Sequence, residues 1–253
     1  EPEKHAKYVF LFVGDGMAVA QRNAAELFKA VTESAGARPE DTKLLMNTFP
    51  AQGMNTTYDL TSVIPDSAST GTALASGQKT ASGVVGMDAN GEVAFKSIAE
   101  IAKENGWKVG IVSSVSIDHA TPASFYAHQP SRGNYREIGE ALVTSDFDYF
   151  AGGVLKRPTT SSDKSEELQD LYEIAEANDF TVVRGKSELE SLDADAGKVF
   201  ALPAYNIGGQ ALYYAMDDVP ENDVRLTDFV AKGIELLDNE DGFFMMVEGG
   251  KID

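Results

Sequence analysis

Apolar and polar positions along the 253-residue chain fall into two alternating kinds of run. Short continuous apolar stretches occur at Tyr8 to Val13 (YVFLFV), Val109 to Val112, Phe147 to Phe150, Phe180 to Val183 and Phe243 to Val247. Their length and their β-branched and aromatic content predict buried strands. Segments with helical spacing lie between them. Helices are predicted from about Met17 to Val31, over Phe95 to Glu104 with a stop at Asn105-Gly106, and near Tyr135 to Val143, Lys164 to Ala177 and Thr227 to Leu237. The Lys164 segment places Leu168, Leu171, Tyr172 and Ala175 on one face. Residues Gly185 to Arg225 are less regular and read as an excursion with a strand at Val199 to Leu202. The alternation predicts one α/β domain over residues 1–253, with a mainly parallel sheet covered by helices on both faces.

Charge narrows the partners. Forty acidic residues against 21 basic ones give a net charge of −19, which argues against a nucleic-acid-binding surface or binding to an anionic membrane, since both require basic surfaces. The acidic excess is densest between residues 160 and 241, where it reads mainly as a solvated face. No run approaches the roughly 18 apolar residues of a membrane span, and the start, EPEKHAKYVF, lacks the apolar core of a signal peptide. With no cysteine, any zinc must be held by carboxylate, imidazole or hydroxyl groups.

In open parallel sheets ligands bind beyond the carboxyl ends of the strands, so the residues there carry the candidate chemistry. Gly14-Asp15-Gly16 closes the first strand, and its carboxylate is either turn chemistry or a metal ligand. Pro65-Asp66-Ser67-Ala68 feeds a helix of small residues. Asp66 or Ser67 can be a plain N-cap there, but a serine at a helix N-terminus also lies in a field that favours an incoming phosphate. No histidine lies close in sequence to act as its base, so metal activation is the more economical reading. Ser116-Ile117-Asp118-His119-Ala120-Thr121-Pro122 concentrates oxygen and imidazole ligands after the second strand, and Arg132 offers a fork suited to phosphate. Capping and surface charge are the bland alternatives. Finally, Glu248-Gly249-Gly250-Lys251-Ile252-Asp253 puts two carboxylates around a glycine turn at a strand end.

Each cluster is ambiguous alone. Together Gly14-Asp15-Gly16-Met17, Asp66-Ser67-Ala68, His119-Ala120-Thr121-Pro122-Ala123 with Tyr126-Ala127-His128 and Arg132, and Glu248 to Asp253 resemble alkaline phosphatase in order and spacing over essentially the whole chain. The resemblance implies hydrolysis of phosphate monoesters through a phosphoserine intermediate, with two Zn²⁺ and one Mg²⁺ as cofactors and inorganic phosphate as a product. Ser67 would be the nucleophile and a zinc ligand, and Arg132 the phosphate grip. Asp15 would bridge the second zinc and the magnesium. Thr121 and Glu248 would bind magnesium with His119 beside it, and Asp253 would serve the other zinc. A homodimer, periplasmic or extracellular, is implied in the same way.

The sequence departs from the family pattern in two respects. His119 occupies a position that is Asp in some members, which leaves the third metal open. The family's later zinc ligands, a histidine soon after the Asp253 position, then an Asp-His pair and another histidine, do not occur in the chain. It therefore reads as an N-terminal part that is inactive alone. The rivals are a related phosphodiesterase, phosphomutase or sulfatase and a non-catalytic metal or phosphate-binding module.

Overall fold

A computed structural model describes residues 6–33, 38 and 41–252. In chain order the elements are β1 (Tyr8–Gly14), α1 (Val19–Glu33), α2 (Ser67–Ser76), α3 (Ile98–Glu104), β2 (Lys108–Ser116), α4 (Ala120–Ala123), α5 (Tyr135–Val143), β3 (Tyr149–Gly153), α6 (Leu171–Ala177), β4 (Phe180–Arg184), α7 (Gly185–Ser191), β5 (Lys198–Leu202), α8 (Leu226–Leu237) and β6 (Phe243–Gly249), with a 3₁₀ turn at Leu45–Thr48. Among the described residues the strands form one six-stranded sheet in the order β1-β6-β2-β3-β5-β4. Every pairing is parallel. The α/β architecture with a parallel sheet and helices on both faces is thus the one expected from the alternation.

Neighbouring side chains on a strand point to opposite faces, and two apolar clusters follow from that. Phe244 and Met246 of β6, Phe150 of β3 and Phe200 of β5 face one cluster, closed by Ile138 and Leu142 of α5 and Leu171 and Ala175 of α6. Met245 and Val247, Tyr149 and Val199 face the other, closed by Leu189 of α7 and Phe229, Leu236 and Leu237 of α8. Phe150, Phe200 and Phe229 are fully buried, and each such side chain contributes roughly 1.5–3 kcal/mol.

Several boundaries differ from the sequence expectation. The predicted helix from Lys164 shrinks to Leu171–Ala177. Upstream, Lys164 takes φ 64°, the Asp163 carboxylate accepts from the Ser165 N–H at 3.0 Å, and Thr160 pairs with Glu167 in an antiparallel bridge. These local bonds compete with helix, and the helix begins only where Asp170 accepts from Tyr172 N–H at 3.0 Å. The helix read from Phe95 starts at Ile98 because Ser97 and Glu100 form a reciprocal capping box. The apolar run at Phe147 begins its strand two residues late and carries it on through Gly153, since β2 and β5 pair on either side. In the irregular stretch, α7 and β5 form before an unstructured passage to Leu226. The first strand was expected to be buried. Instead β1 is the sheet edge, paired with β6, and one face remains open, with Phe12 66% exposed.

Candidate active site

Adjacent strands bring the clusters together. In the register of β1 with β6, Val13 lies opposite Glu248 and Gly14 opposite Gly249; on the other side Ser113 of β2 lies opposite Glu248. Asp15 therefore emerges just past the end of β6, its N–H donating to Gly249 O at 3.1 Å. The next element over the same edge is α2. Its N-cap is Asp66, whose carboxylate accepts from Ser69 N–H at 3.0 Å, so Ser67 is the first helical residue. The Ser67 hydroxyl donates to Asp15 Oδ2 at 2.7 Å. Nucleophile candidate and strand-end carboxylate, far apart in sequence, share a proton.

The helix is held against α4 by a close approach. A Cβ at Gly71 would stand 3.3 Å from Thr121 Cα and 2.8 Å from Ser124 Oγ, so only glycine lets the two helices meet without displacement. Thr121 is buried there. Asp15, Ser67, His119, Thr121 and Arg132 line one cleft of about 970 Å³, together with Tyr58, Asp59, Asp66 and Lys79. Arg132 donates through Nη1 to Asp66 Oδ2 at 3.0 Å, and its Nη2 lies 3.3 Å from His119 Nε2. Asp66 is thus both cap and arginine partner. Burial opposes its charge, but the N–H groups of Ser69 and Gly83 and the Arg132 guanidinium together hold its carboxyl below the usual range.

Glu248 sits behind this cleft, fully buried. Its Oε2 accepts from the Ser113 hydroxyl, while Oε1 is buried without a hydrogen bond of good geometry. Burial pushes its carboxyl up to about 7; the Ser113 and Thr121 hydroxyls pull the other way, and the charge of Asp15 adds to the rise. A buried acid whose pKa is raised by desolvation and a like charge behind a cleft marks a candidate functional site. Asp118, next to His119, is likewise pushed up to about 6 by burial, against the Lys156 N–H bonded to it at 2.7 Å.

The structure therefore gathers six of the predicted residues, Asp15, Ser67, His119, Thr121, Arg132 and Glu248, around one corner of the sheet. Asp253 lies outside the described residues. Sequence reasoning missed Asp66 as the partner of Arg132, although its position beside Ser67 was a usable signal. It also missed Ser113, which only strand register brings to Glu248.

The family model for alkaline phosphatase matches residues 6–253. The chain belongs to the alkaline phosphatase family. It is 31% identical to the tissue-nonspecific alkaline phosphatase of Gallus gallus, over 98% of this chain and 55% of that protein. A solved alkaline phosphatase from the Antarctic bacterium TAB5 superposes with a TM-score of 0.78 at 30% identity, covering 98% of this chain and 66% of that one. A variant of the TAB5 alkaline phosphatase in which a histidine is replaced by Asp, with Mg bound in its M3 site, matches at a TM-score of 0.73 and 28% identity, over 97% of this chain and 64% of that one. The chain spans about half the length of the curated relatives it matches.

Proposed function

We propose that this chain carries the nucleophile and phosphate grip of a phosphomonoesterase that works through a phosphoserine on Ser67. The observation that supports it most directly is the Ser67 hydroxyl at the N-terminus of α2, hydrogen-bonded to Asp15, in the cleft that Arg132 also lines. Helix N–H groups and a guanidinium both favour the charge of a phosphoryl group. Ser67 Oγ attacks phosphorus in line, the P–O bond to the ester oxygen breaks, and the serine proton ends on that departing oxygen to give the alcohol. Water then cleaves the new Ser–O–P bond, releasing inorganic phosphate and restoring the hydroxyl. Asp15 holds the serine proton before attack, Arg132 grips the non-bridging oxygens, and Asp66 keeps Arg132 extended into the cleft.

The donor chemistry fits one hard cation. Asp15, Thr121 and Glu248 offer two carboxylates and a hydroxyl, and Glu248 Oε1 is buried without a hydrogen bond of good geometry; Mg²⁺ accepts one or two carboxylates and keeps waters for the rest. These residues would hold it, with His119 beside them. Among the described residues no three His, Cys, Asp or Glu side chains group as a metal cage, so they do not by themselves build a zinc site. Divalent cations, when bound, supply Lewis-acid activation of the attacking oxygen and neutralise the leaving one. The reading extends to the family's periplasmic or extracellular location and homodimer. Among the described residues no helix is long and apolar enough to cross a membrane.

The test is p-nitrophenyl phosphate hydrolysis at alkaline pH by the full-length protein and by Ser67→Ala, with ³²P trapping on acid quench. Turnover with label on wild type, and loss of both in S67A, is expected. Turnover that survives S67A would overturn the assignment, and phosphate binding without turnover would leave a binding module.

A further inference from the structure

We infer that Asp59 is a positioning residue that sets the phosphate grip through Arg132, an inference that rests on the phosphatase reading for its substrate. Asp59 is buried and stands in the extended passage before α2, ahead of the sequence motifs. Its Oδ1 accepts from the N–H groups of Thr61 at 2.7 Å and Ser62 at 2.6 Å and from the Thr61 hydroxyl at 3.1 Å. Its Oδ2 accepts from Ser69 Oγ at 3.0 Å and from the Ser82 hydroxyl. Burial works against its charge, yet these donors together hold the carboxyl well below the usual range.

Two routes lead from Oδ2 to the guanidinium. By the first, Ser69, its hydroxyl committed to Asp59, donates its backbone N–H to Asp66 Oδ1 at 3.0 Å, and Asp66 Oδ2 accepts from Arg132 Nη1. By the second, Ser82 is tied to Asp59, the adjoining Gly83 N–H donates to Asp66 Oδ1 at 3.1 Å, and Gly83 O accepts the Arg132 backbone N–H at 2.7 Å. One carboxylate therefore fixes both ends of Arg132: its backbone through the 82–83 turn and its side chain through Ser69 and Asp66. Among the described residues no hydrogen bond joins Asp59 to Ser67 or Asp15, so its effect falls on phosphate binding rather than on the attack.

A mutant cycle in the full-length protein tests this, with inorganic phosphate binding read by calorimetry for wild type, Asp59→Ala, Arg132→Ala and the double variant. Losing hydrogen bonds to a charged group in a connected network is expected to weaken phosphate binding about tenfold in D59A. In the R132A background the same change should cost less than about twofold, because the residue it acts through is gone. Where wild type turns over, KM should rise by the same factor with kcat not reduced, the pattern of lost uniform binding. Unchanged phosphate affinity in D59A, or equal weakening in both backgrounds, overturns the inference. If D59A does not fold, Ser69→Ala and Ser82→Ala cut the two routes separately while leaving the Thr61 and Ser62 bonds, and the same cycle decides. A wild type that binds phosphate without turnover refutes the phosphatase reading yet leaves this cycle decisive; no phosphate binding at all refutes both.

Discussion

Replacing Arg136 separates a bond that matters from one that does not. Arg136, the second residue of α5, has its side chain only 5% exposed and makes two kinds of contact. Its Nε pairs with Glu140 at 2.8 Å, but Glu140 is 48% exposed, and such a pair is worth about 0–1 kcal/mol. Its Nη1 donates to Pro158 O at 2.7 Å and Gln169 O at 2.8 Å, pinning both ends of the loop that replaced the first half of the predicted helix. Removing the donor leaves the Gln169 carbonyl unpaired, at about 1–3 kcal/mol, while Pro158 O keeps the Leu171 N–H at 2.9 Å and loses only its second bond, worth about 1 kcal/mol. Arg136→Ala should therefore lose roughly 2–4 kcal/mol, about 10 °C in Tm for a chain of this size, and Arg136→Met nearly as much although its stem still packs. Glu140→Ala should lose under about 1 kcal/mol. Denaturant unfolding of the three variants gives the numbers, and limited proteolysis should show the 158–169 loop opening in the arginine variants alone. Equal losses in R136A and E140A would refute the reasoning.

Other outcomes follow from the same geometry. Glu248 binds its proton more tightly folded than unfolded, so its contribution to metal-free stability is present below about 4.5 and lost as pH rises through about 7. Mg²⁺ has to displace that proton. The rise in Tm on adding Mg²⁺ should grow between pH 6 and 8 and be much reduced in Glu248→Gln; a rise independent of pH would exclude Glu248 as a ligand. A Cβ at Gly153 would stand 1.8 Å from Gln210 O, so Gly153→Ala should cost about 3 kcal/mol or more in equilibrium unfolding, whereas a neutral variant would mean that the 206–210 loop moves freely off β3.

Much of the fold was legible because strands buried on both faces read as unbroken apolar runs. Val109 to Val112 and Phe243 to Val247 announce β2 and β6, and Tyr135 to Val143 matches α5 to the residue. Apolar content alone cannot say which strand lies at an edge, so the exposure of β1 was not visible. The helix read from Lys164 failed because Leu168, at helical spacing from Leu171 and Tyr172, lies exposed in a loop whose Asp163 and serines bond locally. At the site, Asp15, Ser67 and Glu248 were legible as strand-end and helix-start residues. Asp59 carries no local signal: its partners Ser69 and Ser82 come from later turns, and only tertiary folding shows them facing one carboxylate.

The place of β1 in the sheet also orders events in time. The first strand pairs with the last described one, and Tyr8 donates to Asp238 across 230 positions. On a ribosome adding about 5–20 residues per second, β1 waits on the order of ten seconds or longer for its partner, an apolar ribbon with no ladder to join. Asp15 and Glu248 cannot meet before then. Among the described strands this corner of the sheet is the last to close, so metal uptake there reports completion of the six-stranded sheet more strictly than helix content does.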